Sequence, residues 1–316
     1  MSKRRILAIA RDLDLLRQIV DAIELAGAEV DAVASVDALT SPLVTQRYVF
    51  VALPQPELPA DLLRRLPAHA HVTVVVPEFD VAQACGLLAE PRINHVITHA
   101  QLAIGVRTTA QKLLTGDLFG IEKYLPVATP VHYIRLRDFA GRGAAVDTIG
   151  AFVEGHRVRR PVRAAIAQVC EELLMNALYD APIDRAGRAL FAEVEPAARV
   201  AIPSPSPVSV RYAITETQVT LAVRDRFGRL AKRTMVETIA KCVSASSPQI
   251  DRKTYGAGLG LYFVANAACV YVVNVAHGVA TEVICQFDRH TRSPLGQLSF
   301  FVHPANADRL AAVVPA

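Results

Sequence analysis

The stretch Cys170-Glu171-Glu172-Leu173-Leu174-Met175-Asn176-Ala177-Leu178-Tyr179-Asp180 has the apolar spacing of a buried helix, yet it sets Glu172, Asn176 and Asp180 four residues apart. Four residues is just over one helical turn, so the spacing predicts a polar stripe on one face. Glu171 lies about 100° around from Glu172 and stands off that stripe. Unpaired buried polar groups are costly, so the stripe needs partners.

The whole chain sets the frame for those partners. Its 316 residues leave room for about two domains, each able to bury a full core. An apolar content of 52% excludes a disordered chain. A formal net charge of +4 is too small to imply nucleic acid or an anionic membrane as partner. The densest basic run, His156-Arg157-Val158-Arg159-Arg160-Pro161-Val162-Arg163, reads as a solvated helix start, with a partner-docking surface as the alternative. Five cysteines, at 85, 170, 242, 269 and 285, form no CxxC, and most sit in apolar runs. They read as buried, reduced thiols of a cytoplasmic protein, and zinc has no ligand cluster. Only five apolar residues follow Met-Ser-Lys-Arg-Arg, too few for the core of a signal peptide. No uncharged apolar run is long enough to span a bilayer, and no repeat is visible.

The first third alternates. Strands are expected at Ile6–Ala10, Val30–Ala34, Tyr48–Leu53, Val72–Val76 and Ile93–Ile97. Helices are expected over 13–25, Val36–Gln46, Leu58–Leu66, Val81–Leu88 and Leu102–Leu114, the last ended by Gly116. Such alternation implies a doubly wound α/β unit, a parallel sheet covered on both faces. Over residues 1–116 the pattern resembles a response-regulator receiver domain. That resemblance implies a site at the carboxyl ends of the strands, with an acidic pair after strand one, a phosphorylatable Asp ending strand three and a Lys after strand five. Arg11-Asp12, Leu53 and Thr98-His99 stand at those positions instead. Hard oxygen ligands for magnesium cannot come from Arg11 and Leu53, and Leu53 offers no carboxylate nucleophile. The expectation is a pseudo-receiver, with fold kept, chemistry lost and an interaction surface left over. An unrelated doubly wound domain is the alternative.

Residues 117–129 are too apolar for a free tether and are expected to form a packed, short-helical connector. Beyond them, Val131–Leu136 alternates like an edge strand, Asp138 suits the N-cap of a helix to about Glu154, and a second helix runs from about Pro161 to Asp180. The alternate prolines in 202–207 end an irregular stretch over 181–207, read as a surface loop because such prolines cannot sit in a central strand. Val208–Thr215 and Gln218–Arg224 read as a hairpin that runs into Asp225-Arg226-Phe227-Gly228-Arg229-Leu230. A polar segment, roughly 229–255, then leads to Gly256-Ala257-Gly258-Leu259-Gly260, which opens a helix to about Ala268. Strands at about Val270–Val275, Thr281–Phe287 and Gln297–Val302 close the domain.

Three separated signals follow in order: Glu172-x-x-x-Asn176 on a helix, Asp225-x-x-Gly228 after a strand, and Gly256-x-Gly258-x-Gly260 before a helix, with Thr281 in a later strand. Over residues 130–303, leaving 304–316 as a tail, this resembles the GHKL (Bergerat-fold) ATP-binding superfamily of gyrase, histidine kinases and mismatch-repair ATPases, an α+β sandwich. Within it the pattern is most similar to the anti-sigma-factor serine kinases. The resemblance implies ATP and Mg²⁺ as cofactors. Asn176 would give magnesium an oxygen, and Glu172 would take a proton from an attacking water or hydroxyl. Asp225 would accept from the adenine amino group, Thr281 would hold the water beside adenine, and Gly228 would let backbone approach the base. Gly256, Gly258 and Gly260 would bring N–H groups to the phosphates, and Lys253 would reach them from a lid.

Bland alternatives stay open: a structural Glu–Asn pair, an ordinary Asp-x-x-Gly turn, an exposed Arg252-Lys253 pair. A dinucleotide fold needs a strand directly before the glycines, and Arg252-Lys253-Thr254-Tyr255 is not one. Phe227 and Arg229 occupy positions where the family has glycines. The expected function is a cytoplasmic signalling regulator that binds Mg-ATP and phosphorylates a partner protein on Ser or Thr, or hydrolyses ATP slowly, under a non-phosphorylatable receiver-like domain. The alternatives are a nucleotide-dependent scaffold without catalysis or a histidine-kinase-like protein. His132 and His156, the nearest histidines, sit in no acceptor motif. Regulatory protein partners are expected, a homodimer by the resemblance alone, and neither nucleic acid nor a membrane.

Overall fold

The computed structural model describes residues 5–39, 46–59, 61–184, 186–191, 203–244 and 259–303. The chain divides into two compact units, Met1–Leu118 with Leu295–Ser299, and Phe119–Pro294 with Phe300–Ala316.

In the first unit, β1 (Arg5–Ile9), β2 (Glu29–Val33), β3 (Tyr48–Ala52), β4 (His71–Val76) and β5 (Ile93–Thr98) are parallel, in the order β2-β1-β3-β4-β5. That is the doubly wound order whose crevices open at the strands' carboxyl ends. Ile6, Leu7, Ala8 and Ile9 are all buried, as a strand covered on both faces requires. Helix α1 (Leu13–Leu25) starts where Asp12 Oδ1 accepts from the N–H groups of Asp14 and Leu15. Helix α2 (Leu62–Arg65) is a single turn, α3 (Val81–Leu88) opens with an Asp80–Gln83 capping box, and α4 (Leu102–Thr115) stops at Gly116. Leu16, Ile19 and Ile23 of α1 join Leu102 and Val106 of α4 over Ile6 and Phe50. Each such fully buried side chain contributes about 1.5–3 kcal/mol.

Three features depart from the sequence reading. The helix expected over Leu58–Leu66 shortens to the single turn Leu62–Arg65, and residue 60 lies outside the described residues. The helix expected over 36–46 reduces to a 3-10 turn at Val36–Ala38, and 40–45 lie outside the described residues. Strand β11 (Gln297–Val302), expected wholly in the second domain, pairs antiparallel with β5 through Gln297↔Ile97, Leu298↔Val96 and Ser299↔His95. Val96 and Ile97 are fully buried, and an uncovered β5 edge would leave buried backbone groups without partners.

In the second unit an antiparallel sheet runs β9 (Val270–Ala276), β10 (Ala280–Asp288), β8 (Gln218–Asp225), β7 (Pro203–Ile214) and β6 (His132–Asp138). Helices α5 (Gly141–Gly155) and α6 (Arg160–Met175) pack together, and α6 also packs on β8, β10 and the later α8 (Leu259–Ala267). Val162, Ile166, Val169 and Leu173 form the buried stripe of α6. A 3-10 turn at Ile121–Tyr124 has both ends buried, and Gly120 N–H donates to Glu282 Oε2 at 2.9 Å.

Three elements differ from the sequence reading here as well. Strand β7 begins at Pro203, so the alternate prolines belong to a strand. Pro203 pairs only with Asp138 of β6, and pairing with β8 starts at Ser209↔Arg224. The prolines thus sit in an overhang, where a missing N–H removes no ladder bond on the open side. The polar segment holds a helix, α7 (Lys232–Ser244), seated on buried Met235, Val236 and Ile239. The helix expected to reach Asp180 is α-helical only to Met175. A π-turn covers Asn176–Asp180, closed by Ala181 N–H to Asn176 O at 2.8 Å. Among the described residues, no helix is long and apolar enough to cross a membrane. Cys85, Cys170, Cys269 and Cys285 are buried free thiols, and Cys242 is half-buried.

Candidate functional site

Five elements of the second unit place the predicted residues. Asp225 ends β8 and is 6% exposed. Its Oδ1 accepts from the N–H groups of Phe227 (2.7 Å), Gly228 (3.2 Å) and Thr281 (3.4 Å). Thr281 stands opposite Asp225 in the β8–β10 register, and its hydroxyl also bonds the carboxylate. Burial pushes the Asp225 carboxyl above its ordinary range, against the pull of these hydrogen bonds.

The turn after Asp225 holds by glycine. Gly228 has φ +62°, and a Cβ there would collide with Ala276 O and stand 2.9 Å from the Gly278 and Val279 nitrogens. Its open side is therefore filled by the β9–β10 turn, a different reason for glycine from approach to a base. Phe227, next to Gly228 in this turn, is buried.

Asn176 sits where α6 passes into the π-turn. The wider turn bends the stripe, and Asp180 ends exposed while Glu172 and Asn176 are half-buried. Arg229 Nη1 donates to Asp180 O at 3.4 Å and ties the turn after β8 to the π-turn. Glu172 lies against Gly260, the second residue of α8. A Cβ on Gly260 would collide with Glu172 Oε2 and lie 3.2 Å from its Cδ. Burial first, then the neighbouring Glu171, pushes the Glu172 carboxyl up, and Arg142 offsets part of this. Arg142 Nη1 pairs with Glu171 at 2.9 Å.

These placements converge. A cleft of about 380 Å³ is lined by Leu173, Asn176, Asp180, Asp225, Leu261 and Thr281, among others. Glu172 is beside α8 rather than among the lining residues. Lys253, Gly256 and Gly258 lie outside the described residues. Among the described residues no group of three or more His, Cys, Asp or Glu could hold a metal by itself. The partners of Arg142 and Arg229 escaped the sequence reading, because nothing in their local sequence announces a contact with another element.

The first unit has a crevice of its own, about 550 Å³, lined by Arg11, Asp12, Leu53, Pro77 and His99, among others. It lies at the carboxyl ends of the strands, where open sheets bind ligands. Asp12 Oδ1 is engaged as the α1 cap, and Leu53 is buried with its N–H on Val75 O at 2.8 Å.

No family model matches the chain, and no curated protein matches it. Among solved structures it is similar to a response regulator receiver domain protein from Clostridium thermocellum. The identity is 20%, the match covers 35% of this chain and 95% of that one, and the TM-score is 0.28.

Proposed function

We propose that the second unit is a GHKL-type module that binds Mg-ATP, and that the chain is a signalling regulator. Its chemistry is phosphoryl transfer to a Ser or Thr hydroxyl of a partner protein, or slow hydrolysis. The first unit acts as a receiver-like control element without phosphorylation chemistry. The supporting observation is the convergence of Asn176, Asp225 and Thr281, from three distant parts of the chain, on one cleft.

The adenosine end fits. A buried carboxylate with a Thr hydroxyl beside it is a strong acceptor for an exocyclic amino group, and guanine would present an oxygen there. The metal end fits more sparely. Magnesium held largely by phosphates and waters needs only one or two protein oxygens, and Asn176 offers one. When bound, the ion neutralises phosphate charge. Gly260, with Lys253, Gly256 and Gly258, would hold the phosphates. Glu172 would take the proton of the attacking hydroxyl, a task that suits a carboxyl raised towards neutrality.

Steady-state ATP hydrolysis by wild type and Glu172→Ala tests the chemistry, with titration of ATP and ADP in Mg²⁺ as the binding readout. Loss of turnover in the variant with binding retained is the expected result. A second reading, a nucleotide-dependent scaffold without catalysis, draws on the contact of Glu172 with Gly260 and on buried Phe227. Equal background rates in both proteins, with ATP binding intact, would select it. Acetyl phosphate is expected to leave residues 1–116 unlabelled.

A further inference from the structure

The opposite face of strand β8 carries a different chemistry. Side chains alternate along a strand, so Arg224 leaves the sheet on the side away from Asp225. Arg224 is 9% exposed, its guanidinium stacks 4.6 Å over the Phe119 ring, and its Nη2 has no hydrogen-bond partner among the described residues. A buried guanidinium nitrogen without an acceptor is costly, and its natural complement is an anionic oxygen.

Three more arginines surround it. Arg135 of β6, Arg211 of β7 and Arg226 after β8 line the same small pit, with Tyr133 and Ser209. The register explains the gathering, since Arg135 stands opposite Ser209 and Ser209 opposite Arg224, in one row across three strands. Two carboxylates stand nearby: Glu122 pairs with Arg211 at 3.0 Å, and Glu282 lies opposite Arg224 in the β10 register. Four guanidinium groups against two carboxylates leave a surplus of two positive charges.

The pit holds only about 20 Å³, room for one oxygen-sized group at its floor. One oxygen of a tetrahedral oxyanion fits at that floor beside the Arg224 guanidinium, with the others at the exposed rim arginines Arg135 and Arg226.

We propose that this arginine pit is a binding site, distinct from the cleft, for a phosphate-monoester or free phosphate dianion. The two sources share one chemistry and differ in reach. Among the described residues strand β6 ends the strand order on this side, so an extended peptide can lie along it with its phosphate in the pit.

Calorimetric titration of the full chain with inorganic phosphate, an extended phosphoserine peptide and its unphosphorylated form separates the sources. Tighter binding of the phosphopeptide than of inorganic phosphate identifies a protein-borne group, and equal affinity identifies free phosphate. Arg135→Gln/Arg226→Gln changes only exposed side chains and is expected to weaken phosphate binding at least tenfold with an unchanged circular dichroism spectrum. Arg224→Lys keeps the charge but loses the fork, and is expected to weaken it too. Saturating ATP is expected to leave phosphate binding in place. Absence of binding by both phosphate probes, undiminished binding in the double variant, or displacement by ATP would each overturn the proposal.

Discussion

Thr281 faces Asp225 across the β8–β10 ladder, and both its backbone N–H and its hydroxyl reach the Asp225 carboxylate. Two strands and one turn thus share a single buried acceptor. The carboxylate organises the backbone around it as well as pointing at the cleft, so the two duties need separate tests.

Asp225→Asn separates them. The amide keeps an oxygen for the three backbone N–H groups but loses the charge. ATP affinity is expected to fall about 10–100-fold, the scale of one charge-assisted hydrogen bond, with little change in melting temperature. An unchanged Kd in calorimetry would remove Asp225 from nucleotide recognition. In wild type the affinity should also weaken on acidification. Because burial raises this carboxyl, protonation and loss of affinity begin above the ordinary aspartate range.

Glu172 supplies a stability signature. Its folded-state pKa is raised, so the stability it contributes is fully present below the unfolded-state value and is lost as pH rises through the folded-state value. Glu172→Gln should therefore melt higher than wild type at about pH 8, and the gap should close towards about pH 4. Thermal melts across that range check it, and a gap that widened on acidification would contradict the burial seen for Glu172.

Gly228→Ala is expected to destabilise the second unit by about 2–4 kcal/mol, since it combines a left-handed backbone with a collision against Ala276 O. The denaturation midpoint should drop whether or not nucleotide is present. A loss confined to ATP affinity would instead return this glycine to a ligand-facing role.

Gly260→Ala pushes into the Glu172 carboxylate and is expected to cost about 1–3 kcal/mol. In Glu172→Ala the same substitution meets space, so the double-mutant cycle should show coupling of about 1 kcal/mol or more. Additive effects would mean that the two residues do not touch in solution.

Much of the first unit was legible because its strands are apolar runs bounded by turn residues, as Ile6–Ala10 and Val72–Val76 show. The elements that carry the described residues of the candidate site were legible for a similar reason, since Asn176, Asp225 and Thr281 each lie next to a pattern that fixes a helix or strand. What escaped depends on distant partners. Nothing local says that Gln297 will meet Ile97, or that Pro203 will pair on one side only. The α7 helix was hidden by its polar surface, although Met235, Val236 and Ile239 already mark one face. The π-turn at Asn176 is a one-residue excess that a 3.6-residue periodicity cannot detect.

Arg224 and Asp225 are consecutive residues of β8 that look in opposite directions. A slip of one residue in this strand would exchange them, presenting a guanidinium to the cleft and a carboxylate to the arginine row. Loss or gain of a single residue in the turn at Thr215–Gln218 would thus corrupt both faces at once. The register of this one strand therefore holds both surfaces in place, although each side chain can be changed without the other.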